Sequence, residues 1–140
     1  MAHNDYGQEK PKYEVVVLPS KGGNGSSGEI VIRTRVVGVT FEGRQRIAGM
    51  LDEHDELELV RNRNNKYDEN AIAVFYLDDQ VGFLCRELAE KLAPLMDEGR
   101  EFSCVVTEIM EGKRGFSYGV NVEIRQFGEV DELLFLRRFF

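Results

Sequence analysis

Apolar and polar residues alternate along Leu57 to Arg61 (LELVR), the period-two pattern of a strand with one buried face. Ile30 to Val39 is rich in β-branched residues and carries Arg33 and Arg35 on one side, which predicts a half-exposed strand. Ala71 to Leu77 (AIAVFYL) is almost unbroken apolar sequence and reads as a central strand. Asp78-Asp79 then makes a tight turn into Gln80 to Leu84, completing a hairpin. The period changes after that. Leu88, Ala89, Leu92, Leu95 and Met96 recur at helical spacing and predict one helix over Arg86 to Glu98. Glu87 and Glu90 suit its positive end, Pro94 should kink or shorten it, and Gly99 should stop it. Phe102 to Met110 and Tyr118 to Gln126 read as two more strands, joined by the basic, glycine-containing loop Glu111 to Gly115. The expected fold is therefore mainly β with one helix. A small OB-like barrel of about six strands suits it, because closure removes exposed sheet edges.

Three regions follow from composition. Residues 1–28 are expected to be a flexible leader and linker: Met1 to Pro11 is polar, and Pro19 to Gly28 (PSKGGNGSSG) has linker composition. Between them, Lys12 to Leu18 (KYEVVVL) has strand character. The compact domain spans 29–127, and 128–140 form an apolar tail. A chain of 140 residues fits one domain. No apolar run approaches the ~18 residues of a membrane span, and the polar start lacks a secretory h-region, so no membrane partner and a cytoplasmic location are expected. Net charge is −7, which argues against nonspecific nucleic-acid binding by bulk charge. The charge is uneven, with Arg33, Arg35, Arg44 and Arg46 in one stretch and Arg61, Arg63 and Lys66 in another.

Enzymatic chemistry has little to stand on. Neither His3 nor His54 belongs to a nucleophile–histidine–carboxylate set, and the glycines of the linker precede a strand and lack a phosphate-loop lysine. Cys85 and Cys104 lie in apolar segments without partners at metal spacing, so buried inert thiols are expected. The acids of Asp52 to Glu58 read as a charged surface turn. A non-enzyme with no metal and no cofactor is expected. The informative stretch is Arg61 to Val74 (RNRNNKYDENAIAV), a polar loop of amides, cations, an aromatic and a carboxylate that feeds directly into a buried strand. Such loops present binding residues, while Asn64, Asn65 and Asp68 are equally the residues that build turns.

Three blocks extend this reading. RVVGVT at 35–40, NNKYDENAIAV at 64–74 and VGFLCRELAEKLAPLMDEG at 81–99 together resemble the HIRAN domain family in order and spacing. The resemblance implies an OB-like barrel that binds single-stranded DNA at its 3′ end, in DNA repair, replication or mobile-element biology. Carried over by position, it implies that Tyr67 and Asp68 lie against the terminal nucleotide, with Asp68 accepting a hydrogen bond from the 3′-hydroxyl and repelling a 3′-phosphate. It further implies that Asn64 and Asn65 supply loop amides, that Arg86 contacts phosphate, and that Phe41 and Phe116 stack on bases. Thr40 and Phe83 stand where the family's DNA-binding member has an arginine and a histidine, which implies weaker contacts there, with Arg44 or Arg46 near enough to compensate. A different reading is a protein-interaction adaptor. It is motivated by the tail, where Leu133, Leu134, Leu136, Phe139 and Phe140 form an apolar end suited to a protein partner.

Overall fold

A computed structural model of the chain describes residues 12–18, 29–41, 43–112, 117–127 and 137. The apolar tail, Arg137 apart, and the expected stacking residue Phe116 lie outside the described residues. Seven strands and two helices follow in the order β1 (Tyr13–Leu18), β2 (Glu29–Arg35), α1 (Arg44–Ala48), β3 (Glu56–Arg61), β4 (Ile72–Tyr76), β5 (Asp79–Phe83), α2 (Arg86–Asp97), β6 (Phe102–Glu111) and β7 (Tyr118–Gln126). All pairings are antiparallel, in the spatial order β1-β2-β7-β6-β3-β4-β5.

The strand count exceeds the expected six by β1. Its six residues pair one-to-one with β2, from Tyr13 against Thr34 to Leu18 against Glu29, and Tyr13 and Val15 pack on the core. Tyr13–Leu18 thus lies on the sheet, although the compact region was expected to begin at residue 29. The second helix, α1, is a single short turn after Gly43, whose φ of 77° places it in the left-handed region. Its Gln45 side chain substitutes for strand neighbours. The amide nitrogen donates to the carbonyls of Val39 (2.9 Å) and Tyr118 (3.1 Å), and the amide oxygen accepts from the Tyr118 N–H.

The predicted long helix forms as α2. Leu88, Ala89, Leu92, Ala93 and Leu95 are buried, and the chain stops at Gly99, φ 96°. There the Arg100 N–H bonds the Leu95 carbonyl and the Gly99 N–H bonds that of Met96, closing a Schellman end. Pro94 does not end the helix. Pro94 and Glu90 are both exposed, so the backbone bond that proline omits falls on the solvent side.

The sheet bends back on itself. Beyond Arg35 the chain leaves β2: Val36 still donates to the Val120 carbonyl, but Val37 turns to β5 and exchanges two hydrogen bonds with Phe83, at 2.8 and 2.9 Å. This single bridge joins the β2 side of the sheet to its far edge strand; a continuous closing ladder is not formed. Inside lie Ile32, Val36, Ile72, Val74, Val81, Leu88, Leu92, Val106, Val120, Val122 and Ile124, all fully buried.

The bridge requires Gly82. A Cβ there would stand 2.3 Å from the Val37 carbonyl oxygen and 2.8 Å from Val36 Cγ1. Gly82→Ala should therefore push the two edges apart and cost at least ~3 kcal/mol of stability, the upper range for inserting atoms into a packed site. Gly43→Ala has open space around it and should cost only ~1 kcal/mol for its positive φ. Urea denaturation midpoints of the two variants test the difference.

Candidate functional site

The polar loop between β3 and β4 is built by its own side chains. The Asn65 N–H bonds the Asn62 carbonyl, and Asn65 Oδ1 accepts from the backbone N–H groups of Tyr67 (2.9 Å) and Asp68 (3.1 Å). Asp68 Oδ1 in turn accepts from the Asn70 N–H at 2.9 Å. These are Asx turns, so Asn65 and Asp68 do build the loop. The same bonds fix the Tyr67 ring in an exposed position, 78% accessible, and leave Asp68 Oδ2 outside the turn.

Arg61, at the end of β3, anchors this loop from below. Its side chain is only 12% exposed. Nη1 donates to the Ala71 carbonyl and Nη2 to that of Glu69, while Nε and Nη2 grip both oxygens of Asp97 at 3.0 and 3.2 Å. Arg63 adds a third bond to Asp97 at 2.6 Å. One guanidinium thus ties the loop to the last turn of α2. The hydrogen bonds from Arg61 first, and then Arg63, hold the Asp97 carboxyl below its ordinary value.

Loop and helix enclose an open cavity of about 580 Å³ lined by Asn65, Lys66, Tyr67, Asp68, Glu69, Asn70, Arg86 and Glu90. Arg86 is the first residue of α2, and its Nε stands 3.9 Å from Asp68 Oδ2. Lys66 Nζ lies 5.1 Å from the centre of the Tyr67 ring. The cavity therefore combines an exposed aromatic face, a carboxylate oxygen with spare acceptor capacity and two cations. It can stack a planar group, accept a hydrogen bond from a hydroxyl and neutralise an anion.

Of the residues expected from the sequence, the cavity brings together Asn65, Tyr67, Asp68 and Arg86. Asn64 is exposed on the same loop but does not line it. Phe41 lies in a separate cluster: the Arg44 guanidinium sits 5.4 Å from the centre of the Phe41 ring and 5.4 Å from that of Phe83. Phe83 ends β5 opposite Ala73 of β4, and the Leu84 N–H beyond it bonds the Ile72 carbonyl before α2 begins at Arg86. Glu90 was missed from sequence although it follows Arg86 by one helical turn, a spacing that places both on one face. Arg61 was missed as the loop's anchor because its partners are carbonyls and a carboxylate distant along the chain.

Cys85 and Cys104 are buried free thiols, and burial pushes Cys104 up to about 12. Among the described residues no group of three or more His, Cys, Asp or Glu side chains could share a metal ion, and no helix is long and apolar enough to cross a membrane.

Residues 30–126 match the HIRAN domain. The chain is 39% identical over 67 residues to helicase-like transcription factor of Oryctolagus cuniculus, an alignment covering 47% of this chain and 6% of that protein. It is 37% identical over 76 residues to the Fanconi-associated nuclease 1 homolog of Oryza sativa subsp. japonica, covering 51% of this chain and 8% of that protein. The matched segment is thus a small fraction of either relative. In three dimensions the chain superposes on the crystal structure of the HIRAN domain of human HLTF with a TM-score of 0.59 and 25% identity, covering 79% of this chain and 89% of that one. It also superposes on the NMR structure of the HLTF HIRAN domain in its DNA-bound conformation, with a TM-score of 0.56 and 22% identity, covering 90% and 89%.

Removing the anchor should loosen the loop. Arg61→Ala strips bonds from two carbonyls and a carboxylate and should cost ~2 kcal/mol, with faster amide hydrogen exchange concentrated between Asn62 and Asn70. Asp97 adds a pH signature. Its folded pKa is depressed, so its contribution is present above the ordinary value of 3.8 and is lost as pH falls through the lower folded value. Asp97→Asn should therefore lower stability at neutral pH and flatten its decline below pH 3.8, as read from denaturant midpoints across the acid range.

Proposed function

The chain belongs to the HIRAN domain family, and from that premise we propose that it is a single-stranded-DNA-binding module whose cavity at Tyr67, Asp68 and Arg86 receives the 3′ end. The observation that carries this reading is the placement of Asp68 Oδ2 and Arg86 Nε 3.9 Å apart beside an exposed tyrosine. The DNA-bound conformation of the similar HLTF domain supports the choice of DNA as ligand.

Each group has a distinct task. Tyr67 offers a face to a base, and such stacking contributes ~1–3 kcal/mol whatever the base. Asp68 accepts a hydrogen bond from a terminal 3′-hydroxyl and repels a 3′-phosphate, so the carboxylate selects the kind of end. Arg86 contacts a backbone phosphate. It is 75% exposed, so ligand can reach it without displacing buried structure. Local stacking and an end-specific hydrogen bond offset a net charge of −7 that repels the strand at long range. The chemistry is recognition rather than bond making, which assigns the chain a binding role in DNA repair, replication or mobile-element biology.

A second reading, a protein-interaction adaptor, draws on a different surface. Leu77 and Phe127, 76% and 61% exposed, border a groove of about 620 Å³ that also contains Leu57, Leu59, Met96 and Phe102. Exposed apolar surface of this kind suits a protein partner.

Titration of fluorescent single strands ending in a 3′-hydroxyl or a 3′-phosphate tests the first reading. Asp68→Ala should weaken the hydroxyl strand by about 1.5–3 kcal/mol, the range for a hydrogen bond to a charged group. It should strengthen the phosphate strand, because the repulsion disappears and Arg86 loses its competing partner. Arg86→Ala should weaken both strands alike and lower the salt slope by ~0.7, the value for one phosphate contact on single-stranded DNA. A wild-type protein that binds neither strand at low salt would exclude the DNA reading and leave the adaptor.

A further inference from the structure

Among the described residues Arg33, Arg61, Arg63, Arg86, Arg100 and Arg125 pair with carboxylates. Arg35, Arg44 and Arg46 pair with none of the described carboxylates; Arg35 donates to Met110 Sδ, and of the three Arg44 is the one set against aromatic rings. Its guanidinium lies over two aromatic rings, Phe41 and Phe83, and Nη1 donates to the Gly38 carbonyl at 3.0 Å. Its other N–H groups have no partner among the described residues.

The surroundings hold this cation in place. Gly38 has a φ of 73°, and a Cβ there would lie 3.3 Å from Arg44 Nη1. The Phe83 ring is set by the bridge to Val37, and the Arg44 N–H is bonded to the Phe41 carbonyl at 3.0 Å. Phe41 itself is 58% exposed, so the ring that touches the cation also faces solvent. A planar cation fixed at the edge of an open aromatic face, with donors to spare, matches a nucleotide: base on the ring, phosphate on the guanidinium.

We propose that Arg44, backed by Phe83, contacts the internucleotide phosphate beside a base stacked on Phe41, extending the site beyond the terminal nucleotide. The inference rests on the single-strand reading above. It adds a second, separately testable contact at the Phe83 end of β5. Phe83 serves as a positioning residue, holding the guanidinium without touching DNA.

The test replaces single phosphodiesters near the 3′ end of a fluorescent strand, one linkage at a time, by neutral methylphosphonates. Binding to wild type, Arg44→Ala and Arg44→Lys is then measured across salt concentrations. One linkage should weaken wild-type binding by about tenfold when neutralised and have no further effect on Arg44→Ala. Arg44→Ala should also lower the salt slope by ~0.7, while Arg44→Lys keeps the slope and loses part of the affinity. If every linkage has the same effect in wild type and Arg44→Ala, or the slope is unchanged, Arg44 only braces its loop and the proposal falls. The end-binding reading then survives, provided that wild type still distinguishes 3′-hydroxyl from 3′-phosphate. A wild type that binds no strand would sink both.

Discussion

Two hydrogen bonds between Val37 and Phe83 set the positions of most functional groups in this protein. They bring the far edge of the sheet to the chain leaving β2, and they are sterically possible because residue 82 has no side chain. From that point the geometry propagates in both directions. Forward along the chain, Leu84 bonds Ile72, Cys85 enters the core, and α2 begins at Arg86 opposite the Asn65–Asp68 turns. Backward, Gly38 turns the chain so that Arg44 lies over both the Phe83 and the Phe41 rings. The bridge thus sets where α2 begins and where the Phe41 turn lies, while Arg61 and the Asx turns fix the loop itself.

Electrostatics is organised to spare particular groups. Four arginines are engaged in pairs that hold structure: Arg61 and Arg63 on Asp97, Arg33 and Arg125 on Glu123, and Arg125 also on Glu29. The 3.9 Å separation of Arg86 and Asp68 is long for a hydrogen bond, so each keeps capacity for a ligand. Arg44 is held by ring faces, which attract a cation without neutralising it. An acidic protein can bind a polyanion in this way, because the charges that matter locally are not those that sum to the net value.

Much of this was legible in the sequence. The apolar spacing from Leu88 to Leu95 gave α2, and the period-two pattern of Leu57 to Arg61 gave β3, because burial on one face dictates those periods; β6 and β7 were also expected as strands. The turn chemistry of Asn65 and Asp68 and the aromatic between them marked the loop that lines the cavity. What escaped depends on tertiary contact. The helix α1 is five residues long, too short to show a period, and Gln45 holds it by bonding distant backbone. β2 ends at Arg35 rather than Val39 because Val37 prefers a partner on β5, a choice that no local propensity records. Arg61 and Glu90 look like ordinary surface charges until the fold shows what stands beside them, and the sequence offered Arg44 and Arg46 alike without the ring contacts that separate them.

The order in which the strands lie carries a consequence for biosynthesis. Every residue of the cavity has been made once the chain reaches α2. Yet within the sheet β2 is joined to β3 through β7 and β6, the last two of the described strands in chain order. Until they emerge from the ribosome, the two halves of the sheet meet through the short Val37–Phe83 bridge and the packing of α1 and Arg44 against β5. A nascent chain that ends after α2 therefore holds all the chemical groups of the cavity but lacks the β6–β7 hairpin that lies between β2 and β3 in the finished sheet.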